Sequence, residues 1–166
     1  MTVSELGPAP GRDPGGLWYD PGMLSRRLFA AGAWVLIALG LAHLFGHHSL
    51  VTAEAVDETH HRLLELMRGY QFDHGHNFLR STMELLAGFS LAFSVLSLGF
   101  GLLDLVVLRH STGWPPLLRG VATVNAGVFG IMTALALRYW FPAPFLFLAA
   151  AFLCFVTALG LSPHRD

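Results

Sequence analysis

The chain has 166 residues, 54% of them hydrophobic and 13% charged, with a net charge of −1. The charged share is half of the ~25% usual for a soluble globular domain, and a net charge so close to zero offers no footprint for a nucleic acid. Cys154 is the only cysteine, which excludes an internal disulfide and any Cys-x-x-Cys redox or zinc motif.

Residues 1–22 are rich in Gly and Pro, lack a hydrophobic period and read as a disordered tail ahead of a membrane domain over 23–166. Within it, apolar runs cover residues 28–46, 85–108, 117–137 and 144–161. About 20 apolar residues cross about 30 Å of hydrocarbon, and backbone polar groups can be paired there only within a helix or a closed barrel. The pattern therefore predicts an all-α fold: a four-helix transmembrane bundle with an amphipathic helix in the first extracytoplasmic loop. Pro115 and Pro116 end the second span and open the third, and Pro144 opens the fourth. Tyr139 and Trp140 mark one membrane interface and Trp114 the other.

All ten basic residues are arginine. Arg26, Arg27, Arg109, Arg119 and Arg165 fall at one set of span ends, so the positive-inside rule predicts both termini in the cytoplasm and the first loop outside. The stretch Ser25–Ala30, "SRRLFA", is similar to a twin-arginine export signal. No Ala-x-Ala-like cleavage site follows and the apolar run is long for a signal core, so the two arginines read as anchors of the first span. Small residues at four-residue spacing supply contacts between helices: Ser90 with Ser94, Ser97 with Gly101, and Ala126, Gly130 and Ala134 on one face of the third span. These read as contacts within the bundle. Asp104 is expected to pair with Arg109, Arg119 or Arg27, and Asn125 to bond across helices.

The first loop holds most of the polar chemistry. The spacing predicts a short helix that starts at Thr52 and stops at Gly69, with Val56, His60, Leu63, Leu64 and Met67 on its apolar face. Such a helix lies on the membrane surface or closes over the bundle as a lid. Ser81 and Glu84 fit a capping box, and Arg80 stands four residues before Glu84. The strings "GLAHLFGH" and "MRGYQFDHGHNFLRSTMELLAGFSLAFSV" give the chain a family likeness. It resembles an uncharacterised family of small four-helix bacterial integral membrane proteins, similar to DoxX-like proteins in size and topology. The resemblance implies a multi-pass protein of a bacterial cytoplasmic (inner) membrane and carries no catalytic roles. The "DHGH" string departs from that pattern.

Seven of the nine histidines lie between His43 and His76. His43 and His47 are one turn apart on one helix face, the spacing that two ligands of one metal need, while His48 is rotated away. Asp73, His74 and His76 supply further candidate ligands from the loop, and imidazole with carboxylate suits Zn or Fe. His43 and Glu84 are the candidate acid–base groups. Haem is disfavoured, because His43 is the only intramembrane histidine and no facing helix supplies a second axial ligand. The expected function is non-catalytic: an integral membrane protein, in contact with the lipid bilayer, that binds a lipophilic small molecule or a partner subunit through an outward-facing polar pocket. The rival is a small membrane enzyme, with or without metal, acting on a quinone, terpene or acyl chain.

Overall fold

The computed structural model describes residues 21–73, 75 and 78–162. Its elements are α1 (Pro21–Val51), α2 (Glu58–Gly69), β1 (Gln71–Asp73), β2 (Leu79–Ser81), α3 (Thr82–His110), α4 (Pro116–Tyr139) and α5 (Pro142–Gly160). The helices α1, α3, α4 and α5 are long and apolar enough to cross a membrane. The chain is a multi-pass, all-α membrane bundle. Of the expected tail over 1–22, residues 1–20 lie outside the described residues, as does Arg165, while Pro21 and Gly22 already belong to the first turn of α1.

The central helix is α1, which packs against α3 on one side and α5 on the other, while α4 leans on α5. The α1–α3 contact is backbone to backbone. A Cβ at Gly101 would lie 2.6 Å from the Ala33 carbonyl oxygen and 2.7 Å from Ile37, and one at Gly40 would lie 2.7 Å from Leu98 and 2.9 Å from the Ser94 carbonyl. Ser94, Ser97 and Gly101 are buried in this seam, so the small residues of the second span serve the bundle interior as expected. In the third span, Gly130 meets the Phe152 ring, but Ala134 faces outward and Ala136 is buried instead. The four-residue spacing drifts off the buried stripe, which runs through Leu118, Ala122, Ala126, Phe129 and Ala136.

The contact of α3 with α4 is looser and is made by large side chains. The Phe100 and Phe129 rings stand 5.7 Å apart, and Asn125 Nδ2 donates to Asp104 Oδ2 at 2.7 Å, with both polar residues fully buried. Asp104 therefore takes an amide partner from the facing helix, not the arginine expected for it. Asn125 bonds across helices, as its position predicts.

Arg26 has a different task. Its guanidinium donates to the carbonyls of Ser111 and Gly113 at 2.7 Å each and of Leu108 at 2.9 Å. It thus satisfies the C-terminal end of α3, where carbonyls lack helical partners and a cation is favoured. Gly113, at φ +65°, supplies the left-handed turn that brings its carbonyl to Arg26.

At the other end, α1 continues past Gly46 to Val51, since nothing in "HHSLV" breaks a helix. The Thr52 hydroxyl donates back to the His48 carbonyl at 2.8 Å, so Thr52 finishes α1 and does not start α2. Asp57 caps α2, accepting from the His60 amide at 2.7 Å. On α2, Leu64 is buried and His60 and Met67 are half-buried. Leu63 is exposed, and Val56 lies ahead of the helix. The loop also contains an unexpected antiparallel hairpin pairing Gln71 with Ser81, Phe72 with Arg80 and Asp73 with Leu79. It delivers the chain directly into α3, and α2 packs on α3 and β2.

Gly101→Leu is expected to lose about 1–3 kcal/mol through overpacking against rigid backbone. Gly99→Leu, with open space around it, should stay within about 0.5 kcal/mol of the parent. Thermal unfolding in detergent, followed by circular dichroism, compares the two. Equal stabilities would contradict the close α1–α3 crossing.

Candidate functional site at the loop end of the bundle

The last turns of α1 carry His43 and His47 on one face, both half-buried, while His48 is exposed. The His43 ring meets the Phe93 ring of α3 edge to face at 4.7 Å, and Phe93 meets Trp140, the C-cap of α4, at 5.3 Å. This ladder ties α1, α3 and α4 together where α4 ends. Beyond it α1 runs on for about 12 Å at 1.5 Å per residue, and His47 stands in that extension. Its Nδ1 is enclosed and has no hydrogen-bond partner among the described residues.

The candidate carboxylates are held in local bonds. Asp73 Oδ1 accepts from the Gly75 amide at 2.8 Å, closing a side-chain turn at the hairpin tip, where Gly75 has φ +94°. Glu84 Oε2 accepts from the Ser81 amide at 2.7 Å and the Ser81 hydroxyl accepts from the Glu84 amide at 3.2 Å, the capping box that the sequence predicts. No ion pair within 4 Å joins Glu84 to Arg80, although the Arg80 charge still acts on it. Among the described residues, no three His, Cys, Asp or Glu side chains converge to hold a metal. His74 and His76 lie outside the described residues, so His43, His47 and Asp73 are the described portion of the expected ligand set, and Asp73 is held in its own turn.

A cleft of about 610 Å³ opens elsewhere, between the α1–α2 link and α2. Its walls include Glu54, His61, Leu64, Glu65 and Arg68, none of them a residue singled out for the pocket. His61 Nδ1 lies 3.7 Å from Glu65 Oε2 with both side chains exposed, and Arg68 donates to the Ala53 carbonyl at 3.1 Å. The structure thus brings His43 and His47 together and leaves Asp73 and Glu84 in separate structural bonds. It adds Phe93 and Trp140 to the site. Trp140 was legible as an interfacial aromatic; Phe93 is one aromatic among many in its span and carried no signal.

The geometry defines a class, a multi-pass helical membrane protein with a polar, aromatic-lined end. Comparisons with protein-family models, with curated proteins and with solved structures give no match.

Asn125→Leu is expected to cost about 1–3 kcal/mol, because it strips a buried carboxyl of its donor. Adding Asp104→Leu should recover most of that loss, since replacing both partners by apolar groups is close to neutral. Unfolding by SDS in mixed micelles measures the cycle, and strictly additive losses would refute the pairing. At the loop end, Ser81→Ala should lower stability by about 1 kcal/mol through the lost cap; amide exchange in the first turn of α3 should rise with it.

Proposed function

We propose that the protein is a membrane-embedded binding protein that takes a lipophilic ligand with a hydrogen-bonding head at the loop end of α1 and α3. The observation that carries this reading is Nδ1 of His47, enclosed and without a partner among the described residues. An unpaired buried polar atom costs about 1–3 kcal/mol, and the donor or acceptor of a bound ligand would relieve that cost. The surroundings fit an amphiphile. His43, Phe93 and Trp140 form an aromatic floor, and Leu44 and Phe89 offer exposed apolar surface nearby on the same two helices. Quinones, terpene alcohols and acyl carboxylates each place a polar oxygen at the end of an apolar body.

The enzyme reading, with Glu84 and His43 as acid–base groups and Zn or Fe on His43, His47, Asp73, His74 and His76, has less support. Glu84 would have to leave its cap, and Asp73 its turn, to reach a substrate or metal. The proposed orientation places the end carrying Arg26, Arg27, Arg109 and Arg119 in the cytoplasm, as the positive-inside rule favours. In that orientation the histidines face outward; that the membrane is a bacterial inner one is what the likeness to small four-helix bacterial membrane proteins implies.

Decylubiquinone, which quenches tryptophan fluorescence, serves as the probe. Detergent-purified protein should bind it saturably, His47→Phe should weaken binding roughly tenfold, equivalent to about 1.4 kcal/mol, and His48→Ala should leave it unchanged. Non-saturable quenching, or identical behaviour of both variants, would defeat the quinone-type reading. A stoichiometric protein that co-purifies with the parent and is lost only from His47→Phe would shift the assignment to a partner subunit. Stoichiometric zinc that disappears in both His43→Ala and His47→Ala would shift it to the metal enzyme.

A further inference from the structure

The first loop carries an apolar surface that the bundle leaves uncovered. On α2, the buried edge is Leu64 with His60 and Met67. Leu63, Leu66 and Tyr70 follow at three- and seven-residue spacing on the adjoining flank, and are 52%, 62% and 61% exposed. The stripe continues onto the hairpin, where the Tyr70 and Phe72 rings meet edge to face at 4.8 Å. Phe72 is opposite Arg80 in the strand register, and the Arg80 guanidinium lies 4.2 Å from the centre of the exposed Phe78 ring. Arg80 donates to its neighbour Leu79's carbonyl at 2.8 Å and forms no ion pair among the described residues. Among the described residues its Nε and Nη2 have no hydrogen-bond partner, although its charge also acts on Glu84. The opposite side of α2 is polar, with Glu58, His61, Glu65 and Arg68.

We propose that this flank of α2 and the hairpin is a lipid-docking surface. Leu63, Leu66, Tyr70 and Phe72 enter the headgroup–acyl boundary, and Arg80 binds the phosphate of an anionic phospholipid. The topology identifies the occupant. The links holding the patch are short: residues 52–57 join α2 to α1, and β2 enters α3 directly through its cap Ser81. Both helices are long and apolar enough to cross a membrane, so short links hold the patch to the ends of two spans. Exposed aromatic rings beside an arginine suit that layer, where amphipathic rings settle and guanidinium meets phosphate. An amphipathic helix of this kind lies in the interface plane with its charged side toward water. The inference does not depend on what His47 binds.

The test places nitroxide labels at Leu66→Cys, Phe72→Cys and Glu58→Cys in a full-length Cys154→Ser background. The protein is reconstituted in phosphatidylcholine vesicles with and without roughly 30% phosphatidylglycerol. Labels at 66 and 72 should meet dissolved oxygen in preference to an aqueous nickel chelate, with an accessibility ratio roughly fivefold above that at 58. Phosphatidylglycerol should raise the ratio at 66 further, and Arg80→Gln should abolish that increment while keeping the basal contrast. Equal ratios at 66, 72 and 58 would overturn the docking surface. So would shielding of 66 from both reagents, or spin–spin broadening between molecules, since either would mean that protein covers the patch. An increment that survives Arg80→Gln would overturn the phosphate contact.

Discussion

The architecture depends on the crossing of α1 and α3 at Gly40 and Gly101. In lipid, apolar side chains gain little by leaving one hydrocarbon environment for another, so association of helices rests on close contact and on polar bonds. A missing Cβ on each helix lets backbone meet backbone, against Ala33 on one side and Ser94 on the other. This makes α1 the axis of the bundle, with α5 on its second side and α4 held through α5. The thin α3–α4 seam is then bridged by side chains that are long enough to reach: Phe100 with Phe129, Asp104 with Asn125, and Phe93 with Trp140.

The two ends of the bundle solve one physical problem in different ways. Helix ends leave carbonyls or amides without partners. At the arginine end, one guanidinium from α1 collects three carbonyls at the close of α3, so a charge that also suits the membrane boundary locks the first two spans together. At the loop end the caps are short-range: Asp57 on α2, Ser81 and Glu84 on α3, Thr52 on α1. Local caps leave the loop region free to present chemistry. They also consume the carboxylates that might otherwise join the histidines. Nδ1 of His47 is left without a partner among the described residues.

Much of this was legible from residue patterns alone. The four spans follow from hydropathy, the prolines at the heads of α4 and α5 follow from the lost amide, and the Ser81–Glu84 box follows from its spacing. The errors have a common origin. Thr52 was a plausible cap and Asp104 a plausible arginine partner by sequence distance. The competing acceptor and donor in each case came from somewhere spacing does not reveal: the His48 carbonyl one turn back, and Asn125 on another helix. The hairpin leaves no mark in the sequence because its strands have three residues each, too few for a period-two pattern to register. For the candidate site, the shared face of His43 and His47 was readable from i, i+4 geometry, but the ring of Phe93 beneath His43 was not.

The sequence by itself determined that this is a membrane protein of four spans with its histidines gathered at one end. Hydrocarbon imposes length and apolarity on every spanning helix, and those are properties of a linear string. Only the tertiary structure decided which helix is central, which carboxylates are committed to caps, that Asp104 meets Asn125, and that one imidazole nitrogen is enclosed without a partner among the described residues. Each of these turns on which surfaces meet across tens of residues, and a periodic pattern says which face is apolar without saying what it faces.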